Sequence, residues 1–262
     1  MNSKEKKLEA FNRLLDIIDD LREQCPWDKK QTFESLRHLT IEETYELGDA
    51  ILKNDLLEIK KELGDLLLHI IFYAKLGSEE NAFDIADVAN EISEKLIHRH
   101  PHIYGSISVK DEQEVKKNWE KIKLNEGKKS VLGGVPIGLP ALIKSQRIQE
   151  KAAGIGFDWD NKKQVWDKFK EELIELGQAL DLKKEDAIED EFGDVLFSLI
   201  NYARFIKVNP ESALERTNKK FIKRFQYIES KAKKSNRSIQ NLTLVEMEAY
   251  WKQAKDQSNS DS

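Results

Sequence analysis

Acidic residues with the same spacing occur in two separate stretches of this chain. The segment 42–74 aligns with the segment 171–203 without a gap. The acids that coincide are Glu42, Glu43, Glu46, Glu62 and Asp65 in the first segment, and Glu171, Glu172, Glu175, Glu191 and Asp194 in the second. Carboxylates repeated at one spacing are candidates for binding a metal ion. The alignment also indicates an internal duplication.

The elements that must position these acids can be inferred from the apolar pattern around them. Apolar residues recur at helical spacing on both sides of a polar break, near 53–55 in the first segment and near 181–186 in the second, which predicts two antiparallel helices in each copy. Glu46 and Glu62 lie equally far from residue 54, and so do Glu43 and Asp65. Because acids three residues apart share a helix face, four carboxylates are expected to converge in each copy.

Converging carboxylates are unfavourable unless a cation lies among them. Two full charges about 5 Å apart repel by roughly 3 kcal/mol at an effective dielectric constant near 20. Oxygen ligands alone suit Mg²⁺, with Mn²⁺ as a substitute. The alternative is that a Glu-rich helical protein scatters its acids over solvated faces. The repetition of all five acids, and the apolar residues that flank Asp65 and Asp194, favour a metal site.

A basic helix is predicted after each copy. It carries Lys95 and Arg99 in the first half and Lys220 and Arg224 in the second, each pair at i, i+4 spacing on one face. Exposed helix charges are one explanation. Beside a carboxylate-bound metal, however, a lysine and an arginine can neutralise the oxygens of a polyphosphate. The sequence has no Gly-rich loop of the Walker type.

The rest of the sequence predicts an all-α protein with two tandem helical modules, each an antiparallel helix bundle. The chain has 262 residues, of which 35% are charged, and it is rich in helix-forming Leu, Lys and Glu. Glycine and proline concentrate at 127–140, which predicts a linker between an N-terminal module at 1–126 and a C-terminal module at 141–253. The polar end, 254–262, is predicted to be disordered.

Charge and cysteine content bear on partners and location. A formal net charge of -5 gives no basic excess for binding nucleic acid or an anionic membrane. The longest apolar stretch is about half the length needed to span a membrane. Cys25 is the single cysteine of the sequence, which suits a reducing compartment, so a cytoplasmic protein is expected.

Several motifs together resemble one known family. An EExxE motif is followed by ExxD in both copies, "CPWD" at 25–28 precedes the first copy, and "HRHPHIYG" at 98–105 follows it. This set resembles the MazG nucleoside triphosphate pyrophosphohydrolases over nearly the whole chain. The resemblance implies an all-α, two-module homodimer that hydrolyses NTPs and dNTPs to the monophosphate and pyrophosphate with Mg²⁺.

The resemblance also implies roles for individual residues. Glu172, Glu175, Glu191 and Asp194 are the implied Mg²⁺ ligands, and Glu43, Glu46, Glu62 and Asp65 are their counterparts in the first copy. Glu171 lies next to the site and is expected to orient or deprotonate the attacking water, so the catalytic set is Glu171, Glu172 and Glu175. The implied nucleotide-binding residues are Glu171, Asn218, Lys220, Arg224 and Trp251, with Lys95 and Arg99 in the first copy. The C-terminal site is favoured, because the first copy has Ser93 where the second has Asn218.

Two other classes of protein are alternatives to this hypothesis. A di-iron carboxylate bundle also gathers acids from antiparallel helices, but it needs two Glu-x-x-His pairs, and neither copy supplies one. The second class is a non-catalytic helical adaptor whose acidic clusters bind only structural cations. An adaptor would release no pyrophosphate from a nucleotide.

Overall fold

A computed structural model describes residues 1–111, 114–115, 118–119, 122 and 130–260, and the side chains of residues 258–260 are outside that description. The secondary structure within these ranges is helical, without β-strands, as the sequence predicted. No described helix combines the length and the apolar character that crossing a membrane requires. The chain divides into two compact units, Met1–Glu114 and Val115–Ser262. The predicted module boundaries at 126 and 141 stay predictions, and residues 127–129 of the predicted linker lie outside the described ranges.

The first unit is built on a helical hairpin and a preceding helix. Its helices are α1 (Lys4–Gln24), α2 (Phe33–Lys53), α3 (Leu56–Glu79), α4 (Ile85–Arg99) and the short α5 (Pro101–Tyr104), with a 3₁₀ turn at Asp28–Lys30. A capping box between Thr32 and Ser35 starts α2. The core that joins α1 to the hairpin consists of Ile18, Leu36, Ile71, Phe72 and Leu76. This core fixes the hairpin from one side.

The second unit repeats the hairpin and adds two long helices. Its helices are α6 (Ala141–Gly154), α7 (Lys162–Leu182), α8 (Glu185–Phe205), α9 (Pro210–Lys234) and α10 (Leu244–Ser260), with a 3₁₀ turn at Ile239–Asn241. Asn161 caps α7 by accepting from the backbone N–H groups of Lys163 and Gln164. α9 and α10 pack on each other through a core that contains Ile228, Ala232 and Leu242.

The end of the chain differs from the sequence prediction. A disordered tail was predicted from residue 254, but α10 continues to Ser260. Ala254 is buried with 6% of its surface exposed, so the tail prediction was wrong at that residue. The polar composition of 254–260 gave no sign that one small side chain on this stretch packs inward.

Candidate functional site

The two hairpins turn at the residues about which the acids are symmetric. Asn54, which follows the last residue of α2, has a left-handed backbone conformation with φ 55°. Lys183, which follows the last residue of α7, has the same conformation with φ 53°. In the first hairpin, the Asp55 side chain then accepts from two backbone N–H groups and starts α3. The predicted register of the hairpins is therefore confirmed, and acids equally far from the turn stand level with each other.

The first unit gathers three of its acids into a cluster. Carboxylate oxygens of Glu43, Glu46 and Glu62 lie within 4.8 Å of one another. Glu62 is buried, and its Oε2 has no hydrogen-bond partner among the described residues. Nζ of Lys61 lies 2.8 Å from the other oxygen of Glu62, and this hydrogen bond raises the pKa of Lys61. Burial, followed by the charges of Asp65, Glu46 and Glu62, raises the pKa of Glu43.

The second unit gathers the corresponding three acids. Carboxylate oxygens of Glu172, Glu175 and Glu191 also lie within 4.8 Å of one another, and Glu172 is buried with 7% of its surface exposed. Lys168 donates to Glu171 at 2.7 Å and to Glu172 at 2.8 Å. These two hydrogen bonds raise the pKa of Lys168 above its ordinary value. The pKa of Glu175 is raised, mainly by desolvation and to a smaller extent by the hydrogen bond and the charge of Glu172. Both clusters thus favour a positive charge beside them.

The fourth acid of each predicted set lies outside these clusters. Asp65 influences Glu43 through its charge but is not within the 4.8 Å set, and neither is Asp194. An aspartate carboxylate is one methylene nearer its own backbone than a glutamate carboxylate, so at the same helix level it reaches less far. The prediction of converging carboxylates holds for three of the four acids in each unit. Glu42 and Glu171 are exposed and also lie outside the sets.

Two lysines beside the clusters, Lys61 and Lys168, are not among the residues that the sequence predicts for the site. Lys168 precedes Glu172 by one helical turn, which is a recognisable signal for an ion pair. Lys61, in contrast, is the sequence neighbour of Glu62. It lies on α3, the second helix of its hairpin, whereas Lys168 lies on α7, the first helix of its hairpin. In the gap-free alignment Lys168 matches Leu39 and Lys61 matches Asp190. Neither lysine is therefore repeated in the other copy, and the comparison of the two copies does not indicate them.

A cavity of about 570 Å³ opens beside the second cluster. Glu172, Asp194 and Lys168 contribute to its wall, together with apolar and aromatic side chains from α6, α8 and the segment 156–159. The cavity therefore joins charged groups that could bind a metal or phosphate to a surface that could bind an organic ring.

Two of the predicted nucleotide-binding residues of the second unit, Arg224 and Trp251, contact each other. Arg224 lies over the ring of Trp251, 5.4 Å from its centroid, and Asn218 donates to Glu215 at 3.2 Å. Lys220 is exposed. None of these residues lines the cavity beside the acids. In the first unit, Lys95 lies 3.6 Å from Glu91, and Arg99 is at the end of α4.

Each of the two helical hairpins gathers carboxylates, and the second lies beside an open cavity, so the class is a helical protein with candidate divalent-cation sites. The profile of the MazG nucleotide pyrophosphohydrolase domain matches residues 31–104 and 161–228. The chain belongs to this family, and each matched region contains one acid cluster. The resemblance inferred from the motifs is thereby confirmed.

Individual relatives cover almost the whole chain. It is 44% identical over 251 residues to the nucleoside triphosphate pyrophosphohydrolase/pyrophosphatase MazG of Thermotoga maritima, covering 94% of this chain and 95% of that protein. It is 39% identical over 259 residues to the nucleoside triphosphate pyrophosphohydrolase of Escherichia coli, covering 95% and 98%. A crystal structure of a mazG-related protein from Thermotoga maritima matches 43% of this chain and 98% of that one, with 29% identity and a TM-score of 0.39.

Proposed function

We propose that this chain is a nucleoside triphosphate pyrophosphohydrolase that hydrolyses NTPs and dNTPs to the monophosphate and pyrophosphate at the C-terminal acid cluster. The observation that carries the proposal is the position of Glu172: it belongs to the carboxylate cluster and also lines the cavity. Family membership and the names of the relatives support the reaction.

The donor set of the cluster fits Mg²⁺, with Mn²⁺ as a substitute. Glu172, Glu175 and Glu191 offer only oxygen atoms within 4.8 Å of one another, and hard divalent cations prefer such ligands. Lys168 already places one positive charge 2.8 Å from Glu172, which supports a site for cations there. We propose that Asp194, which lines the cavity beside Glu172, completes the set. When bound, Mg²⁺ supplies positive charge that stabilises the phosphate oxygens and the pyrophosphate leaving group.

The reaction requires a water that attacks the α-phosphorus while the bond to the bridging oxygen of the pyrophosphate breaks. Glu171 is the proposed base: its carboxylate is exposed, adjoins Glu172, and accepts from Lys168 at 2.7 Å. To take the proton of the water, Glu171 gives up its hydrogen bond from Lys168 and accepts one from the water. Lys168 keeps its bond to Glu172. Orientation and electrostatic stabilisation then carry most of the catalysis.

We propose that the protein is a homodimer, because Lys220 and Arg224, the proposed ligands of the triphosphate, do not line the cavity of their own chain. These residues and Trp251 are absent from the wall of the cavity, so a second copy of the chain is the proposed source of the cations that reach it. Exposed apolar side chains on the hairpin and on α9 support such an association; they include Ile174, Phe192, Phe221 and Ile222, each more than half exposed.

The N-terminal cluster of Glu43, Glu46 and Glu62 has the same oxygen donors, and we propose that it also binds a divalent cation, with Asp65 beside it. The C-terminal cluster is the proposed catalytic one because the described cavity adjoins it. A cytoplasmic location is proposed from the single cysteine, Cys25, which is free.

The proposal is tested by measuring pyrophosphate release from NTPs and dNTPs with Mg²⁺. Glu172→Gln is expected to lower kcat/KM by about 100-fold or more, because it removes a charged ligand that faces the substrate. Glu43→Gln, in the other cluster, is expected to retain most of the activity. Asp167→Asn is the matched control on α7, since Asp167 is paired with Lys170 at 2.6 Å and lies outside the cluster.

Each outcome separates the hypotheses. Loss of activity in Glu172→Gln alone supports catalysis in the second unit. Equal loss in Glu43→Gln and Glu172→Gln contradicts the assignment to the second unit. Absence of pyrophosphate release by the wild type rejects the enzyme and leaves the helical adaptor.

A further inference from the structure

The cavity beside the second cluster extends along one face of α8. Asp194, Ser198, Asn201 and Arg204 line it and are spaced three or four residues apart, as one helix face requires. At 1.5 Å per residue, this wall runs roughly 15 Å from Asp194 to Arg204. Trp159 adds an aromatic wall. A nucleotide whose phosphates lie at the acids therefore has room for its base further along the cavity.

Gln149 of α6 lines this cavity and is 5% exposed. Its Nε2 donates to the backbone carbonyl of Phe197 at 2.8 Å. Because a carbonyl can only accept, this bond fixes which end of the amide is the nitrogen. The Oε1 of Gln149 is buried and has no hydrogen-bond partner among the described residues. A buried acceptor without a partner is unfavourable, and a ligand that donates to it removes that cost.

Other polar groups of the cavity are already held in place. Arg204 donates to Asp158 at 2.8 Å and to Oδ1 of Asn201 at 2.9 Å. Two N–H groups of Arg204 donate to the oxygen of Asn201, at 2.9 and 3.3 Å, and leave its amide nitrogen as a donor. Gln149, Asn201 and Trp159 thus offer the cavity a fixed acceptor, a donor and an aromatic surface, which are groups that recognise the edge and face of a heterocyclic ring.

We propose that the nucleotide base occupies this cavity and that Gln149 is a specificity-determining residue whose Oε1 accepts an N–H from an exocyclic amino group of the base. The proposal rests on the proposed function and adds its base preference. A base with an oxo group at that position places a second acceptor against Oε1, which is repulsive. Nucleotides with an amino group are therefore preferred over their oxo counterparts.

The test uses pairs of nucleotides that differ at this group, CTP against UTP and ATP against ITP. The full chain with Mg²⁺ is expected to show a kcat/KM about tenfold or more higher for the amino member of each pair, as one hydrogen bond to a buried acceptor allows. Gln149→Met, of similar volume but without the amide, is expected to bring both ratios close to one.

The matched control is Gln31→Met in the first unit. Gln31 is also buried, at 8% exposed, but both ends of its amide are satisfied: Nε2 donates to the Trp27 carbonyl at 2.9 Å and Oε1 accepts from Ser35 at 2.7 Å. This variant is expected to keep the wild-type ratios. If Gln149→Met does not fold, Gln149→Asn keeps an amide that is shorter by one methylene, and it is expected to lower the ratios.

The outcomes distinguish base selection from activity. Wild-type ratios near one, or ratios that persist in the Gln149 variant, overturn the proposal while leaving pyrophosphate release intact. Absence of release from all four nucleotides rejects the proposed function and the base preference with it.

Discussion

The acid cluster of the first unit should destabilise the protein when no divalent cation is bound. Glu43, Glu46 and Glu62 place carboxylate oxygens within 4.8 Å of one another. At that distance, and at an effective dielectric constant near 20, one pair of charges repels by about 3 kcal/mol. Solvent screens the exposed Glu46, so the net effect of removing the Glu43 charge is expected to be about 1 kcal/mol.

Glu43→Gln should therefore raise the stability of the metal-free protein. The new amide also brings an N–H near Glu62, whose Oε2 is buried without a partner among the described residues. For a unit of this size, about 1 kcal/mol corresponds to a rise in Tm of roughly 4 °C. Saturating Mg²⁺ should reverse the order, because the wild type gains stability from ligand binding and the variant gains less.

The assay is thermal unfolding followed by calorimetry, first in EDTA and then in Mg²⁺. Glu42→Gln is the matched control, since Glu42 is the exposed neighbouring acid outside the cluster. The EDTA difference should shrink in about 1 M salt, where the Debye length falls to about 3 Å. A Glu43→Gln protein that is less stable than wild type in EDTA, or that responds to Mg²⁺ as strongly as wild type does, would refute the electrostatic reasoning.

Three further predictions concern local structure. Lys183→Asn should stabilise the second hairpin by about 0.5 kcal/mol in urea unfolding, because asparagine tolerates the left-handed backbone at φ 53° better than lysine does; a loss of stability would contradict this. Gly77→Ala should destabilise the first unit by about 1–3 kcal/mol, since the added Cβ would lie 2.7 Å from the ring of Phe83; an unchanged urea midpoint would show that the ring moves freely. The hydrogen bond from Arg237, with those from the backbone and hydroxyl of Thr243, lowers the pKa of Glu246 from 4.5 to about 2. The resulting stability is present above pH 4.5 and is lost as the pH falls towards 2, so Glu246→Gln should flatten the acid limb of a pH–stability curve, and an identical limb in both proteins would argue against it.

The sequence by itself determined the helical class, the duplication and the register of the hairpins. Helical periodicity and the polar breaks were enough to locate turns at Asn54 and Lys183, because the side-chain period of a helix is fixed by its backbone. The same register placed Glu175 level with Glu191, and Glu172 level with Asp194, on the facing helix. These features follow from spacing along the chain, which a sequence displays directly.

The tertiary structure decided how far each side chain reaches and what surrounds it. It left Asp194 outside the close set, placed Lys168 on Glu172, and separated Arg224 from the cavity. It also produced the buried oxygen of Gln149, which has no hydrogen-bond partner in the described part of the chain, on a helix whose pattern singled out no polar role for that residue. Such features depend on contacts between segments far apart in the chain, and neither spacing nor composition records which backbone carbonyl will meet a given amide.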